Sequence, residues 1–430
     1  MNRRLQGFSN DTFSSLKVRN FKLFFAGQLV SQTGTWLTMI AQTLLVLKLT
    51  DSGIALGVLT ACQFLPMLLL GPWAGAVADR ADKRRLLTLL QMAAMAQSLA
   101  LGIAVFSGHA SVGVIYALAA VQGVITAFDN PCRRSFVVEM VPPREVTNAV
   151  SLNSAVMTGS RVIGPALAGV LVITVGFGWA FILDAVSYIA VIAGLLAMRS
   201  SELFRSPPMA RAKGQVRAGL RYIRAERQLF VPLVMMALVG SFAFNFSVTI
   251  PLLVTGTLGG SDGTFTILFS VLSAGSLVGA LWTARRDQVT NRQLVGSAAG
   301  FGLSMIALAA APNLLFCFPA GILVGLSSIA FMTSSTAIVQ VLAAPEYRGR
   351  VLAIQSMVFL GSTPIGGPIV GWVADVAGPR MAIVIGAMGC FAAAAYGARA
   401  LGVAIRRPSE PSRPDTTADA APVALADLTR

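Results

Sequence analysis

The chain has 430 residues, of which 55% are hydrophobic and only 12% are charged, about half the charged fraction of an average soluble domain. This composition excludes a soluble globular protein, which could not cover its surface with polar groups, and it excludes disorder for the bulk of the chain. The net charge of +15 would suggest nucleic acid in a soluble protein. Here the basic residues are expected to set membrane topology instead, so no nucleic-acid partner is expected.

The first 20 residues are polar and lack the apolar core of a cleaved signal peptide, so residues 1–20 form a predicted N-terminal tail. Twelve apolar segments follow, and we number them 1 to 12: 21–48, 53–79, 86–106, 112–130, 149–175, 178–198, 229–256, 263–284, 293–311, 313–341, 351–375 and 380–403. Each has about the length that a helix needs to cross a bilayer. All twelve are predicted to be helices, because lipid offers the backbone no hydrogen-bonding partner.

The basic residues are distributed unequally over the connections. Thirty of the 33 lie in the two tails and in connections 2–3, 4–5, 6–7, 8–9 and 10–11, when Lys22 and Arg399 at the outer ends of segments 1 and 12 are counted with the tails. Lys48 and Arg380 lie in the odd-numbered connections, and Arg161 lies within segment 5. Because basic loops stay on the cytoplasmic side, both termini are predicted to be cytoplasmic, in a multi-pass protein of the cell membrane.

The longest connection, 199–228, separates two predicted six-helix bundles at 21–198 and 229–403. Within it Arg217, Arg221 and Arg224 recur at helical spacing. This spacing predicts an amphipathic helix on the membrane surface, and an ordinary solvated linker is the alternative. The tail 404–430 is rich in Pro, Ser, Thr, Asp and Ala and is predicted to be disordered.

The two bundles are also similar in sequence. Gly71 and Gly75 recur 204 residues later as Gly275 and Gly279, and Gly164-Pro165 recurs at 367–368. Parallel repeats of six helices imply a pseudo-twofold axis along the membrane normal. This arrangement is typical of transporters in which two bundles rock about a central site.

Few residues are available for catalytic or cofactor chemistry. The single histidine, His109, leaves no histidine metal site, and the four cysteines show no paired spacing and are interpreted as small apolar side chains. None of the five lysines follows a glycine, which excludes a P-loop for ATP hydrolysis. No cofactor, metal or enzymatic activity is expected.

The connection between segments 2 and 3 carries a charged motif, Gly75-Ala-Val-Ala-Asp79-Arg80-Ala-Asp82-Lys83-Arg84-Arg85. It closely resembles the GxxxDRxGRR motif of the major facilitator superfamily, with Asp82 where that family most often has Gly. The resemblance implies the major facilitator fold, an all-α polytopic membrane protein with twelve transmembrane helices in two pseudo-symmetric bundles. It also implies a latch on the cytoplasmic side in the outward-open state, formed by Gly75, Asp79, Arg80, Arg84 and Asp129. Asp129, at the end of segment 4, is the expected partner of Arg80.

Segment 5 carries a second motif, Ser160-Arg161-Val-Ile-Gly164-Pro165-Ala-Leu-Ala168-Gly169. It is similar to the GxxxGPxxGG motif of exporting members of the superfamily. Small residues let two helices touch and a proline bends a helix, so Gly164, Pro165 and Gly169 are expected to form a helix-packing motif. The stretches 25–34, 183–188, 219–224 and 348–351 resemble the enterobactin-exporter and macrolide-efflux group.

The resemblance implies that helices 1, 4, 7 and 10 line a central cavity. Polar and aromatic side chains recur on these segments at helical spacing. Hydrogen bonding between helices is the alternative explanation for each of them. The expected cavity residues are Gln28, Gln32 and Trp36 on segment 1, Gln122 and Thr126 on segment 4, Asn245 on segment 7, and Phe331 and Ser334 on segment 10.

Arg161 lies near the middle of segment 5, where an arginine is costly unless it faces water or a partner. It is a candidate anchor for anionic substrate groups, and a structural arginine bonded to carbonyls and water is the alternative. Asp184, in segment 6, differs from it in depth by about 12 Å, so no direct pair is expected. As the only carboxylate clearly inside a predicted span, Asp184 is the candidate for proton coupling.

The expected function is secondary transport by alternating access. The family resemblance favours an exporter of small drug-like or siderophore-like molecules, driven by protons and acting in the lipid bilayer as a monomer. An ion-coupled importer of a small nutrient and a receptor or scaffold without transport are the alternatives. A membrane enzyme is disfavoured, because the spans contain so few histidine and acidic residues.

Overall fold

A computed structural model of the chain describes residues 13–204, 215–284 and 289–403. The predicted disordered tail, 404–430, and the first twelve residues of the N-terminal tail lie outside the described residues. The described part is helical and contains no strand.

Each of the twelve predicted segments is helical. The helices, numbered to correspond to the segments, are α1 Arg19–Thr50, α2 Gly53–Arg80, α3 Lys83–Phe106, α4 Val112–Glu139, α5 Val146–Thr174, α6 Phe177–Leu196, α7 Arg227–Phe242 continuing at Phe246–Pro251, α8 Asp262–Ala284, α9 Asn291–Ala309, α10 Leu314–Leu342, α11 Pro345–Ala377 and α12 Pro379–Ala400. Among the described residues, ten helices are long and apolar enough to cross a membrane; α1 and α9, with 32 and 19 residues, are long enough but more polar.

The connections follow simple rules of helix termination. Side chains of Ser52, Asp82 and Ser111 accept hydrogen bonds from backbone amides in the first turns of α2, α3 and α4. Gly176 and Gly378, which join α5 to α6 and α11 to α12, both have positive φ angles, of 85° and 88°. Such angles favour glycine, and the equivalent placement of the two turns agrees with the repeat seen in the sequence.

Helix α7 is interrupted, although the sequence predicted one continuous segment at 229–256. The first part ends at Phe242, and a second part begins at Phe246 and passes into a π-helical turn at Leu252–Thr257. Nδ2 of Asn245 donates to the carbonyl oxygen of Ser241 at 2.7 Å and so satisfies one backbone acceptor at the break.

The linker contains a short helix, Gln215–Ala225, as the arginine spacing predicted. Ile223 on this helix is buried and packs among apolar residues of α7, α10 and α11. The Tyr222 ring stacks on Tyr347 at the start of α11, with centroids 4.4 Å apart, and the Tyr222 hydroxyl accepts from the backbone amide of Ala344. The linker helix is therefore attached to the second half of the chain.

Helices α1–α6 pack against one another, and so do α7–α12. The two halves meet through the pairs α2–α11 and α5–α8. We call the end of the molecule that carries the connections α2–α3, α4–α5, α6–α7, α8–α9 and α10–α11 the basic end, because the basic residues concentrate there, and the other end the opposite end.

Candidate functional site

The two halves are in backbone contact near the opposite end. Gly53 and Gly57 of α2 face Gly371 and Gly367 of α11 so closely that a Cβ atom on Gly57 would lie 2.6 Å from the Cα of Pro368. A Cβ atom on Gly371 would lie 2.6 Å from the carbonyl carbon of Gly53. Only glycine permits this approach, so these positions make a tight seal between the halves.

A carboxylate joins the halves at the same end. Asp375, near the C-terminus of α11, accepts hydrogen bonds from Ser52 Oγ at 2.8 Å and from the backbone amides of Gly53 and Ile54 at 2.5 and 2.9 Å. These groups form the first turn of α2, where the helix dipole favours a negative charge. Asp375 thus caps a helix of the other half, a role that the sequence did not suggest.

The motif of segment 5 lies at helix contacts, as its small residues predicted. A Cβ atom on Gly164 would lie 3.0 Å from the carbonyl oxygen of Thr33 on α1, and Gly169 adjoins the side chain of Thr266 on α8. Pro165 is buried between these contacts. Gly169 therefore belongs to the second seam between the halves, while Gly164 fixes α5 against α1.

The halves separate toward the basic end. Gly53 and Gly71 lie on the same face of α2, since 18 residues make five helical turns, yet a Cβ atom on Gly71 would meet no atom within 4 Å. One hydrophobic core extends across both halves near the opposite end, whereas the basic end has two separate cores, one in each half. The result is a cleft that is closed at the opposite end and open at the basic end.

Arg161 lies in the middle of α5, and its guanidinium is over the ring of Trp36, 5.4 Å from the ring centroid. The side chain is half-buried, and its Nε atom is buried without a hydrogen-bonding partner. Within the described residues Arg161 forms no ion pair, with Asp184 or with another carboxylate. Arg161 of α5 and Trp36 of α1 thus form a cation–π pair.

A buried ion pair lies inside the first half. Asp129 accepts from Nη2 of Arg133 one turn later and from Nε2 of Gln91 at 2.8 Å. The amide of Gln32, oriented with its oxygen toward the guanidinium, accepts from Arg133 Nη2 at 3.0 Å. Asp129 is therefore not paired with Arg80, and ten more helical residues follow it in α4. The Asp–Arg spacing of four residues could have revealed this pair in the sequence.

Several expected cavity residues are buried in this conformation. Gln28 and Gln32 are 2% and 7% exposed and point into the first half, because the open face of α1 is formed by Ala26, Leu29 and Val30. Asn245 lies at the break in α7 and is 1% exposed. Gln122 and Thr126 of α4 are half-buried, as is Trp36.

The two expected cavity residues of α10 lie on its buried face. Phe331 and Ser334 are buried in the second half, with exposed fractions of 0% and 4%. The other face carries an open depression of about 280 Å³, lined by Met332, Thr333, Thr336, Ala337 and Gln340. Thr333, Thr336 and Gln340 also recur at helical spacing, so this stripe could have been read from the sequence.

Asp184 is enclosed among helices α1, α3 and α6. One carboxylate oxygen accepts from the hydroxyls of Thr38 at 2.7 Å and Ser98 at 2.6 Å, and the other from Ser187 at 3.4 Å. Its exposed fraction is 1%, and no cation pairs with it in the described part of the chain. Gly34 of α1 provides the space for this side chain. Asp184 is thus a buried carboxylate without a cation partner in the described part, whereas Asp129 is paired with Arg133.

The charged motif between α2 and α3 binds within the first half. Arg84 donates to the carbonyl oxygens of Leu195 and Leu196 at 2.7 and 2.8 Å, at the end of α6, where the helix dipole favours a cation. Lys83 pairs with Glu139 at the end of α4, at 2.7 Å. Gly75 and Asp79 are half-buried and Arg80 is exposed. In this conformation the motif ties α3 to α4 and α6.

The four cysteines are free, with Cys62 half-buried and the others buried. Within the described residues no three His, Cys, Asp or Glu side chains form a group that could hold a metal ion.

A family model described as transmembrane secretion effector matches residues 10–418 of the chain. The staphyloferrin A transporter of Staphylococcus aureus is 26% identical over 364 residues, which cover 83% of this chain and 90% of that protein. Macrolide efflux protein A of Streptococcus pyogenes is 23% identical over 366 residues, covering 81% and 89%.

Solved structures share the fold. The crystal structure of a bacterial homologue of the human lysosomal transporter Spinster, in an inward-facing and unoccupied conformation, superposes with a TM-score of 0.71 at 15% identity and covers 89% of this chain and 96% of that chain. A mutant of the nucleoside transporter NupG gives a TM-score of 0.72 at 13% identity, covering 90% and 99%.

Proposed function

The chain belongs to the transmembrane secretion effector family of major facilitator superfamily transporters, and on this premise we propose that it is a secondary active exporter of small amphipathic molecules. Proteins with similar sequences are named for the movement of a siderophore and of macrolides. We propose the same broad substrate range here, with two bundles at 21–198 and 229–403 joined by the linker 199–228.

The observation that carries the proposal is the difference between the two ends of the α2–α11 contact. Gly57 is pressed against α11, while Gly71, on the same face of α2, has open space in front of it. A rigid-body rotation of one half against the other would open the contact at Gly57 and close the space in front of Gly71. Alternating access needs such an exchange, because the cleft must open to one side of the membrane at a time.

The orientation follows from the charge distribution. Thirty of the 33 basic residues lie in the tails and in connections at the basic end, and basic loops stay in the cytoplasm. Both termini are then cytoplasmic, and the conformation described above is open to the cytoplasm. In the reverse conformation, the face of α2 around Gly75, Asp79 and Arg80 would meet α11 and act as the cytoplasmic latch.

Proton antiport through Asp184 is the proposed coupling mechanism. Its carboxylate is buried, binds three hydroxyl groups and has no cation partner among the described residues. A proton would neutralise this buried charge, whereas Asp129 already has Arg133 as its counter-charge. Asp184 also touches α1, which carries Trp36 on its cleft side, so its charge state could influence the cleft.

The direction of transport is tested with inverted membrane vesicles, using a radiolabelled macrolide and staphyloferrin A as probes. An exporter accumulates its substrate in inverted vesicles when their lumen is acidified. Accumulation in right-side-out vesicles only would identify an importer instead. Binding without flux in either orientation would point to a receptor or scaffold.

The coupling is tested separately with Asp184→Asn, which keeps the shape and part of the hydrogen bonding but cannot bind or release a proton. Exchange of labelled for unlabelled substrate should persist, while accumulation driven by a pH gradient should be lost. Asp51→Asn, which removes an exposed carboxylate near the opposite end, is the matched control and should behave like the natural protein. Loss of exchange in Asp184→Asn would assign the carboxylate a structural role.

A further inference from the structure

Among the charged side chains described in the middle of the helices, Arg161 on α5 has no counter-charge. Arg133 is neutralised by Asp129, and Asp184 is bound by hydroxyl groups on the far side of α1. Arg161 has neither a carboxylate partner nor a hydrogen bond to any described residue. An arginine at this depth is costly unless water or a counter-charge reaches it. A molecule that enters the cleft could supply the counter-charge that the described residues do not.

A second guanidinium group lies near Arg161. Nη1 of Arg133 lies 3.8 Å from Sδ of Met157, and Met157 precedes Arg161 by one turn of α5, about 6 Å along the helix. This part of the wall thus holds two guanidinium groups but one carboxylate, Asp129. An anion is attracted to such a region, and a neutral molecule is not.

The guanidinium is held in a fixed position. Trp36 supports its face at 5.4 Å. The α1–α5 contact beneath it is set by Gly164 and by a hydrogen bond of 3.2 Å between the hydroxyls of Thr33 and Ser160. Nε of Arg161 is buried without a partner, whereas its terminal nitrogens are not among the buried atoms and donate to no described residue, so both remain available to a ligand. Two adjacent N–H donors match the two oxygens of a carboxylate.

We infer that Arg161, supported by Trp36, is the anchor for a carboxylate group and that the transported molecules are anionic amphiphiles. This inference rests on the proposed transport function and names its substrate class. The carboxylate binds end-on to Nη1 and Nη2, and the apolar part of the molecule lies along the open face of α1. The alternative, a structural arginine bonded to carbonyls and water, is supported by no hydrogen bond from Arg161 to a described carbonyl, and the experiment below distinguishes the two roles.

The test uses dansyl-amino acids and their methyl esters, which differ only in the negative charge. Binding by equilibrium dialysis and flux into proteoliposomes are measured for the natural protein, Arg161→Lys and Arg161→Gln, with Arg144→Gln as the control because Arg144 is exposed. The natural protein should prefer the acids. Arg161→Gln should weaken acid binding by at least about tenfold, the usual scale of a charged hydrogen bond, and change ester binding less than about twofold. Arg161→Lys should lie between them, since it keeps the charge but loses the planar pair of donors.

The outcomes separate the two proposals. Acid binding that depends on Arg161 without flux of any compound would leave the anchor in place and refute transport. Flux with equal preference for acids and esters would support transport and overturn the anchor. The anchor would likewise be overturned if the natural protein did not bind the acids. Equal losses of acid and ester binding in the variants, together with a lower melting temperature, would also overturn it.

Discussion

Asp375 offers a direct test of how the cleft is kept closed at the opposite end. Its carboxylate accepts three hydrogen bonds, at 2.5 to 2.9 Å, from the first turn of α2. Replacing a helix-capping side chain costs about 0.5–2 kcal/mol, and the side chain is exposed, which reduces the charge contribution. We therefore expect Asp375→Ala to weaken the closed arrangement by about 1 kcal/mol, which changes the ratio of the two conformations about fivefold.

The fold itself should not suffer from this change. Asp375 lies two residues before the end of α11, where the helix dipole disfavours a negative charge. Removing it should leave the melting temperature unchanged or raise it slightly while the gate loosens. A stability loss alone would indicate that Asp375 is needed for folding rather than for the contact between the halves.

The assay uses double electron–electron resonance to measure the distance across the basic end between nitroxide labels at Thr147 and Gln340. Both positions are exposed, and they lie in different halves. Molecules in the reverse conformation give the shorter distance, and their proportion should rise in Asp375→Ala. Asp51→Asn is the control, because it removes an exposed carboxylate beside the first turn of α2 and leaves Asp375 in place. Unchanged distances in Asp375→Ala, or an equal shift in Asp51→Asn, would refute the capping explanation.

Three further predictions follow from close contacts. Gly57→Val should prevent closure of the opposite end and lengthen the α2–α11 distance there, whereas Gly71→Val, which meets open space in this conformation, should leave that distance as it is; spin labels at the opposite end distinguish them. Arg133→Met should lower stability by about 3–5 kcal/mol because it leaves a buried carboxylate unpaired, and combining it with Asp129→Leu should restore most of the melting temperature. Arg84→Ala should cost about 1–2 kcal/mol through the two carbonyls it leaves, measured by thermal unfolding, with Arg84→Lys losing less.

Composition and periodicity were sufficient to predict the helices of the fold. Lipid imposes helical structure on every apolar segment, so the number and order of the helices could be predicted without tertiary information. The small residues of the segment 5 motif also fell at helix contacts, since close approach of two backbones requires small side chains. The interruption of α7 could not be predicted, because the apolar run continues across it.

The direction in which polar side chains point was less predictable. Gln32 and Asn245 were both expected in the cavity, but Gln32 binds Arg133 of α4 and Asn245 binds its own helix at the break in α7, while Thr333 and Thr336 line the depression on α10. A helix in a bundle is polar both where it meets water and where it hydrogen-bonds a neighbour, so periodicity alone does not distinguish the two faces. Asp129 was expected to pair with Arg80 because segment 4 was predicted to end at residue 130. The helix continues to Glu139, and Asp129 pairs with Arg133 one turn later on the same helix.

The sequence by itself determined that this chain is a helical membrane protein with an internal repeat and a basic end, because solvent and length restrict the choices for so apolar a chain. Only the tertiary structure decided which charges are neutralised. Asp129 pairs with Arg133, Asp184 accepts hydrogen bonds from hydroxyl groups, and Asp375 caps a helix of the other half. Arg161 alone among these four is left facing the cleft, because ion pairing depends on distances of a few ångströms that arise only when helices distant in sequence pack together.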